Sequence, residues 1–302
     1  MSVNIVVVGS VAYDTLATPK GRREKALGGS ASYFSTVASY FTKPGLVGAV
    51  GEDFKPEYIE FLTKRNVDMS GLEKLPGKTF HWSGSYSDDF GDATTHATEL
   101  NVFEHFSPKL PSHFRTAPFL FLANIHPQLQ IKVIQDVQKP RLIALDTMNL
   151  WINISLPQLK EAIKLVDILF VNRQEAAMLS GEKKLANAIH KLLQMGPKRL
   201  VIKMGELGAM TATETDRFFV PAFPCPEITD PTGAGDSFAG GFMGWIAKTG
   251  DLSENNFRKA MILGTVMGSI TVENFSLDSY HTLSQDEIME RYSQVLDMIR
   301  VV

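Results

Sequence analysis

The chain has 302 residues, 44% of them hydrophobic, and a formal net charge of −3 at pH 7. This length suits one large domain with a sizeable apolar core, and the near-neutral mixture of charges excludes a protein that coats nucleic acid or a membrane surface. A single cysteine, Cys225, excludes an internal disulfide and a cysteine-based zinc site, so we expect a reducing, cytoplasmic compartment.

Short apolar runs alternate with helical patterns along most of the chain. The first run, Asn4–Gly9, is too short for a signal-peptide core or a membrane span and is predicted to be a buried strand. The alternation predicts the α/β class, with a mostly parallel sheet whose strands are joined by crossover helices. From Ala234 onward we expect mostly helix. The other predicted strands are Leu46–Val50, Phe119–Ala123, Leu142–Asp146, Ile168–Val171 and Leu200–Met204, and the predicted helices are Gly29–Phe41, Glu57–Arg65, Gln128–Val137, Leu156–Leu165, Glu175–Leu179 and Leu185–Met195.

Residues 78–104 break this alternation. Thr79–Tyr86 alternates aromatic with small or polar residues, Asp88–Asp92 has the composition of a turn, and Ala93–Val102 is a candidate returning strand. This pattern predicts a β-hairpin. Its aromatic side chains have two interpretations, packing in a core or contact with a ligand, and the sequence leaves both open.

The most specific motif is Asp230–Phe242, with the sequence DPTGAGDSFAGGF, which runs into an apolar helical pattern. A glycine loop that opens a helix leaves backbone N–H groups directed outward, where the helix dipole adds partial positive charge. These features predict an anion site beside the carboxylate of Asp236. A dinucleotide fingerprint is excluded because Phe238 occupies its third glycine position, and a Walker-type loop because Gly241-Phe242 replaces its Lys-Ser/Thr pair.

Five further motifs accompany this one in a characteristic order. They are Gly9–Asp14 (GSVAYD), Gly28–Tyr33 (GGSASY), Gly48–Phe54 (GAVGEDF), Asn172–Glu175 (NRQE) and Lys203–Gly208 (KMGELG). With Asp230–Phe242 they make nearly the whole chain resemble the ribokinase-like (PfkB) carbohydrate kinase family. The resemblance implies a three-layer α/β/α core with a mostly parallel sheet and a small β-lid. It also implies a single domain over residues 1–302, with lid segments near 15–28 and 78–104.

The resemblance assigns the chemistry of phosphoryl transfer to the glycine-rich motif. Asp236 would be the general base that accepts the proton of an acceptor hydroxyl. Gly233, Ala234, Gly235 and Asp236 would form the anion hole. Because an alcohol is a far weaker acid than a carboxylic acid, the proton would move late, as the new bond forms.

Acceptor binding falls, by the same resemblance, to the first two motifs. Asp14 is expected at the exit of the first strand, where it would accept hydrogen bonds from substrate hydroxyls. Gly28 and Gly29 would let the backbone approach the ligand closely. Tyr33 occupies a position where the family usually has Asn. This replacement removes a typical sugar-binding amide and departs from ordinary ribokinase or fructokinase specificity.

ATP and Mg²⁺ are the cofactors that the resemblance implies, and a monovalent cation such as K⁺ is a further candidate. Glu175 would act on Mg²⁺ through water, while Asn172 and Glu175 could equally form an ordinary helix cap. Asp146 and Asn149 are weaker candidates near substrate or phosphate. The residues assigned to the nucleotide are Asn172, Lys203, Gly205, Gly208, Thr232 and Asn274, with Lys203 at a position often held by Thr.

The sequence therefore predicts an ATP-dependent kinase acting on a sugar, with a nucleoside kinase of the same family as the alternative. Aromatic residues in the hairpin and Tyr33 would suit stacking on a base. Two other classes, a ligand sensor without turnover and a nicotinamide oxidoreductase, are disfavoured by Asp236 and by the missing early dinucleotide motif. We expect a small-molecule acceptor, no nucleic-acid or membrane partner, and a candidate homodimer through the lid.

Overall fold

The computed structural model of the chain describes residues 3–91 and 93–300. Its strands, numbered in chain order, form one large and one small sheet within those residues. The strands are β1 (Ile5–Val8), β2 (Ala12–Thr18), β3 (Gly21–Gly28), β4 (Pro44–Val50), β5 (Asp68–Lys74), β6 (His81–Ser85), β7 (Thr94–Glu99), β8 (Phe119–Leu122), β9 (Leu142–Asp146), β10 (Ile168–Asn172), β11 (Arg199–Lys203), β12 (Ala209–Ala212) and β13 (Arg217–Val220).

Helices follow most strands of the large sheet. Short 3₁₀ helices also occur, at Asn101–His105, Gly205–Leu207 and Asp278–His281. The α-helices are α1 (Ser30–Ala38), α2 (Pro56–Lys64), α3 (Pro127–Asp136), α4 (Asn149–Ile154), α5 (Leu156–Ile163), α6 (Arg173–Ser180), α7 (Leu185–Leu193), α8 (Ala234–Thr249), α9 (Glu254–Thr271) and α10 (Gln285–Ile299).

The large sheet has nine strands in the order β13-β12-β11-β10-β9-β8-β1-β4-β5. The strands from β11 to β5 pair in parallel, and β12 and β13 add an antiparallel edge. Parallel pairing places the carboxyl ends of β9, β10 and β11 at the same edge of the sheet. In open α/β sheets this is the edge that presents ligands.

Two hydrophobic cores cover the two faces of this sheet. Successive side chains of a strand face opposite sides, so Ile5 and Val7 of β1 pack with α1, α2, α8, α9 and α10, whereas Val6 and Val8 pack with α3–α7. All four side chains are fully buried. Burial on both faces is typical of parallel sheets. The predicted three-layer α/β/α architecture is therefore confirmed.

The small sheet has four strands in the order β3-β2-β6-β7. β2 and β3 form a hairpin in which Thr18 pairs with Gly21 around the two-residue turn Pro19-Lys20. β2 then pairs in parallel with β6, which brings Asp14 directly opposite Trp82. The small sheet thus combines two segments of the chain that are distant in sequence.

Most predicted elements are observed with bounds that differ by no more than three residues, and Leu142–Asp146 is observed as predicted. Three strands at the edges of the large sheet, β5, β12 and β13, were not predicted. They are short or carry polar residues at half-exposed positions, so the strong apolar run that marks a buried strand is missing. Asp92, the last residue of the predicted turn, lies outside the described residues.

One placement was wrong. We expected Asp14 at the exit of the first strand, but β1 ends at Val8 and Asp14 lies within β2 of the small sheet. Residues 15–28, a predicted lid segment, contribute the end of β2 and the whole of β3, which pair as a hairpin. The physical reason is the turn at Pro19-Lys20, which reverses the chain and pairs residues 12–18 with residues 21–28.

We expect Phe170→Ala to lower the free energy of unfolding by about 3–5 kcal/mol, because it removes a large side chain from the centre of the core. Phe170 is fully buried, and its ring makes edge contacts with Phe121 and Phe242 at centroid distances of 5.6 and 5.4 Å. Phe219→Ala is the matched control, since Phe219 is 43% exposed, and it should cost less than about 1 kcal/mol. Equal losses in denaturant titrations would contradict this account of the core.

Candidate active site

Three parallel strands end side by side in polar residues. β9 ends at Asp146, β10 at Asn172 and β11 at Lys203. The Nζ atom of Lys203 lies 2.6 Å from Oδ2 of Asp146, so this side chain crosses the end of β10 to reach β9. These charged groups therefore lie at the ends of central strands of the large sheet.

Helix α8 begins at this edge with the glycine-rich motif. Its N-cap residue, Gly233, has a left-handed backbone with φ 74°, and Asp236 lies in its first turn. The N–H of Ala234 donates to the carbonyl oxygen of Pro231 at 3.2 Å. Gly235 and Asp236 are consequently better placed than Ala234 to offer the unpaired N–H groups of a helix N-terminus to an anion.

The ring of Tyr33 supports the turn at Gly233. Tyr33 is 1% exposed on α1, and a Cβ atom at position 233 would lie 2.4 Å from its ring. Only a glycine satisfies both the left-handed φ and this close approach. Tyr33, which we predicted to bind the acceptor, thus lies beneath residues 233–236, which we call the anion loop. Its contact with a ligand stays a prediction.

A buried aspartate shapes the residues before this turn. Asp230 is fully buried, and its two oxygens accept hydrogen bonds from the N–H groups of Thr232 at 2.9 Å and Ser276 at 3.1 Å. Burial raises the pKa of this carboxyl, while these bonds oppose the rise. The Thr232 hydroxyl donates to the Tyr86 hydroxyl at 3.1 Å. The loop is thereby tied to both the core and the small sheet.

Asp14 faces the same space from the small sheet. It is 5% exposed, and the Gly29 N–H donates to its carboxylate. A Cβ atom at position 28 would lie 2.0 Å from Oδ2 of Asp14. The carboxylate can therefore occupy this position only because residue 28 is a glycine. Burial, then the negative charges of Asp230 and Asp236, raise the pKa of Asp14 to about 7.

Asp236 has a similarly perturbed carboxyl. Burial, followed by the charge of Asp146, raises the pKa of Asp236 to about 7, against the opposing effect of Lys203. The Lys203 pKa is itself raised, because Asp146, Glu175 and Asp236 together outweigh the opposite effect of burial. Strongly perturbed groups that face one space are typical of active sites.

Asn172 and Glu175 form a helix cap, which is one of the two roles that the sequence left open for them. The side chain of Asn172 accepts from the Glu175 N–H at 2.8 Å, and the Glu175 carboxylate accepts from the Asn172 N–H at 2.7 Å. This reciprocal arrangement is a capping box at the start of α6. The Glu175 charge also acts on Lys203. Its role toward Mg²⁺ stays a prediction.

The remaining candidate residues lie in three other segments of the chain. Gly205 and Gly208 flank the 3₁₀ turn that follows β11, and the exposed Asn149 begins α4. Asn274 donates to the Ser279 hydroxyl at 3.0 Å and lines a cavity of about 520 Å³ beside α10. Their contacts with a nucleotide stay predictions.

Two aromatic residues that we did not assign to the site face it from the small sheet. Trp82 is half-buried and lies opposite Asp14, with its indole N–H donating to Thr95 at 3.2 Å. Tyr86 follows four residues later, on the same face, and contacts Thr232. The aromatic alternation of Thr79–Tyr86 was the pattern that could have identified them.

The described residues include neither a cluster for direct metal binding nor a helix that could span a membrane. In residues 3–91 and 93–300, no group of three or more His, Cys, Asp or Glu side chains is placed to hold a metal ion directly. Within the same ranges, none of the helices combines the length and apolar character that a membrane span needs.

Known proteins resemble this chain in sequence. The profile of the family described as "pfkB family carbohydrate kinase" matches residues 2–282. A cytidine kinase of Thermococcus kodakarensis is 33% identical over 259 residues, which cover 83% of this chain and 91% of that protein. A nucleoside kinase of Methanothermobacter thermautotrophicus is 26% identical, with 82% of this chain and 84% of that protein covered.

Solved structures resemble it in fold. The nucleoside kinase of Burkholderia thailandensis in complex with inosine superposes with a TM-score of 0.80 at 18% identity, covering 97% of this chain and 99% of that one. A candidate ribokinase II of E. coli in complex with ATP and Mg²⁺ gives a TM-score of 0.76 at 20% identity, covering 99% and 100%. These likenesses establish a ribokinase fold.

We expect Gly233→Ala to abolish most activity and to destabilise the protein, because the new methyl group would meet the Tyr33 ring. Gly181→Ala is the matched control, since Gly181 has the similar φ of 71° but no atom within 4 Å of the added Cβ. Gly181→Ala should lower the free energy of unfolding by only about 1–2 kcal/mol, the cost of placing alanine in a left-handed backbone conformation, and should leave activity normal. The measurements are thermal unfolding and turnover; equal effects would mean that backbone strain alone matters at Gly233.

The raised pKa values predict opposite pH dependences of activity and stability. In the roles predicted from the sequence, Asp14 and Asp236 must be ionised to accept hydrogen bonds and a proton, so kcat/KM should fall as pH drops below about 7. A folded-state pKa above the unfolded value, about 4, means that stability is greatest at low pH and is lost as pH rises towards 7.

Asp236→Asn should therefore gain stability relative to wild type as pH rises from about 4 to about 7, and the gain should then level off. Asp297→Asn is the control, because it makes the same substitution at an exposed position. Urea titrations at several pH values measure both variants. A gain for Asp236→Asn that shrinks as pH rises would show that the carboxyl is not destabilised by burial.

Proposed function

This chain belongs to the pfkB family of carbohydrate kinases, and we propose that it transfers the γ-phosphoryl group of ATP to a sugar hydroxyl of a nucleoside. It is a phosphotransferase that acts on a hydroxyl group, as the match to this family and to named kinases shows. The nucleoside acceptor and the residue roles below are the proposal. A free sugar, the first expectation from the sequence, is the competing acceptor.

The pairing of Asp14 with Trp82 carries the choice of acceptor. Asp14 and Trp82 are in register on neighbouring parallel strands, which lie about 4.8 Å apart, so their side chains leave the same face of the small sheet. We propose that the carboxylate and the indole contact one ligand. Asp14 can accept hydrogen bonds from two ribose hydroxyls, and Trp82 offers a flat surface for the attached base. A free pentose would use the first group and leave the second without a partner.

The similar proteins support this reading. A cytidine kinase and a nucleoside kinase each cover more than four fifths of this chain. The Burkholderia enzyme of the same fold was solved with inosine. Together with the register of Asp14 and Trp82, these similarities support a nucleoside as the acceptor of this chain.

Asp236 is the proposed general base. The acceptor hydroxyl loses its proton to the Asp236 carboxylate while its oxygen forms a bond to the γ-phosphorus. The bond between that phosphorus and the bridging oxygen breaks, and ADP leaves with the electron pair. Little covalent chemistry falls to the protein, so the reaction depends on in-line positioning and on stabilising charge at the transferred group. The Gly235 and Asp236 amides supply that stabilisation.

The residues around α8 fit the phosphates of ATP. Helix N–H groups and the Lys203 ammonium provide donors and positive charge at the place where the phosphates would lie. Glu175 would orient water molecules of bound Mg²⁺, whose contribution is to neutralise phosphate charge. A requirement for a monovalent cation stays an untested expectation.

A phosphoryl-transfer assay with labelled ATP tests the proposal, using cytidine, adenosine, inosine, ribose and myo-inositol as acceptors. We expect at least one nucleoside to be preferred over ribose, and Asp236→Asn to remove transfer to every acceptor. Ribose or myo-inositol with a higher kcat/KM than any nucleoside would overturn the nucleoside assignment. Absence of transfer to any acceptor would favour the ligand-sensor alternative.

Trp82→Ala tests the proposed base contact. Stacking on an aromatic side chain is worth about 1–3 kcal/mol, so kcat/KM for the nucleoside should fall about tenfold or more while that for ribose stays nearly unchanged. Trp82→Phe is the control that keeps an aromatic surface, and it should retain most activity. Equal losses for nucleoside and ribose would mean that Trp82 only supports the small sheet.

A further inference from the structure

The Lys203 side chain extends past the end of a neighbouring strand to form a largely buried ion pair with Asp146. The strand spacing of about 4.8 Å means that its side chain crosses roughly 10 Å to reach Asp146 on β9. The two side chains are 18% and 5% exposed, and their charged atoms are 2.6 Å apart. Removing two charges from water is costly, and their attraction often fails to compensate. Such a pair is weak evidence for stability and suggests another use.

The ammonium of Lys203 lies against the first turn of α8. A Cβ atom added to Gly235 would be 3.1 Å from Nζ, so this glycine borders the charge directly. A cation at a helix N-terminus is unfavourable, because the helix dipole is positive there. An anion bound at the same place would remove this conflict, since both the dipole and the ammonium would attract it.

We propose that Lys203 is a catalytic residue whose ammonium group contacts the phosphoryl group during its transfer, and that Asp146 is the positioning residue that holds it there. This inference rests on the kinase activity in the proposed function and is independent of the acceptor.

The hydrogen-bonding capacity of the pair fits this role. A lysine ammonium has three N–H donors, and the bond to Asp146 uses one of them. In phosphoryl transfer, negative charge is spread over three equatorial oxygens of the transferred group. The other two donors of Lys203 are therefore available to oxygens of a group bound next to Gly235. Because Asp146 already fixes the side chain, little reorganisation is needed when charge develops.

The alternative is that Lys203 only neutralises Asp146, the carboxylate with the largest effect on its pKa. The two roles predict different behaviour when the whole ion pair is removed. A purely compensating lysine becomes dispensable once Asp146 is also neutral, whereas a lysine that contacts the phosphoryl group does not.

The experiment compares Lys203→Met, Asp146→Asn and the double variant, with labelled ATP and the best acceptor. We expect Lys203→Met to lower kcat about 100-fold or more, as for other groups that stabilise transition-state charge, with ADP affinity within a few-fold of wild type. Asp146→Asn should lower kcat less, because the ammonium remains. The double variant should stay as slow as Lys203→Met.

The ion pair of Lys198 and Asp167 provides the matched control. It joins the segments that precede β11 and β10 at 3.0 Å, and the Lys198 side chain is 83% exposed. Lys198→Met should leave kcat unchanged. If Lys203→Met does not fold, Lys203→Gln and the double variant Lys203→Met/Asp146→Leu, which buries no charge from this pair, replace it in the comparison.

Two results would overturn the inference. The first is a double variant that recovers kcat to within a few-fold of wild type, which would make Lys203 a compensating charge. The second is an equal loss of ADP affinity and of kcat/KM for ATP, which would place the ammonium on the departing diphosphate. Failure of the kinase proposal is distinguishable, because wild type itself would then transfer no phosphate.

Discussion

The left-handed turn at Gly233 is the constraint on which the site depends. It starts α8 against the buried ring of Tyr33, and α8 in turn packs on α1 and α9 in one of the two cores. The direction of α8 therefore decides where Gly235 and Asp236 lie relative to the ends of β9 and β11. A side chain at position 233 would move the helix and separate the anion loop from Lys203.

Two buried carboxylates of the candidate site lower the stability of the folded protein. Asp14 and Asp236 have carboxyl pKa values raised to about 7 by burial and by neighbouring carboxylates, so their ionised forms destabilise the folded protein at neutral pH. The raised pKa brings a carboxylate closer to the basicity that proton transfer favours. Strain of this electrostatic kind is typical where binding and catalysis set the requirements.

In the proposed function, the large sheet binds ATP and the small sheet binds the acceptor. The large sheet ends in the charges that would meet the phosphates, and the small sheet presents Asp14, Trp82 and Tyr86 from the other side. The Thr232–Tyr86 hydrogen bond and the Arg23–Asp278 ion pair, at 3.1 and 2.7 Å, join the two parts. In the proposed function, a substitution in the small sheet would therefore alter acceptor specificity without altering the edge that binds phosphate.

The sequence by itself determined the α/β class, most elements and the glycine-rich anion motif, because buried strands such as Leu142–Asp146 and loop glycines have strong local patterns. It could not reveal the edge strands β5, β12 and β13, whose pairing depends on neighbours distant in the chain. Nor could it place Asp14 opposite Trp82, or Lys203 on Asp146 across β10. Those contacts arise from strand order and register, which only the assembled tertiary structure decides, because residues far apart in sequence have no local pattern that records their meeting.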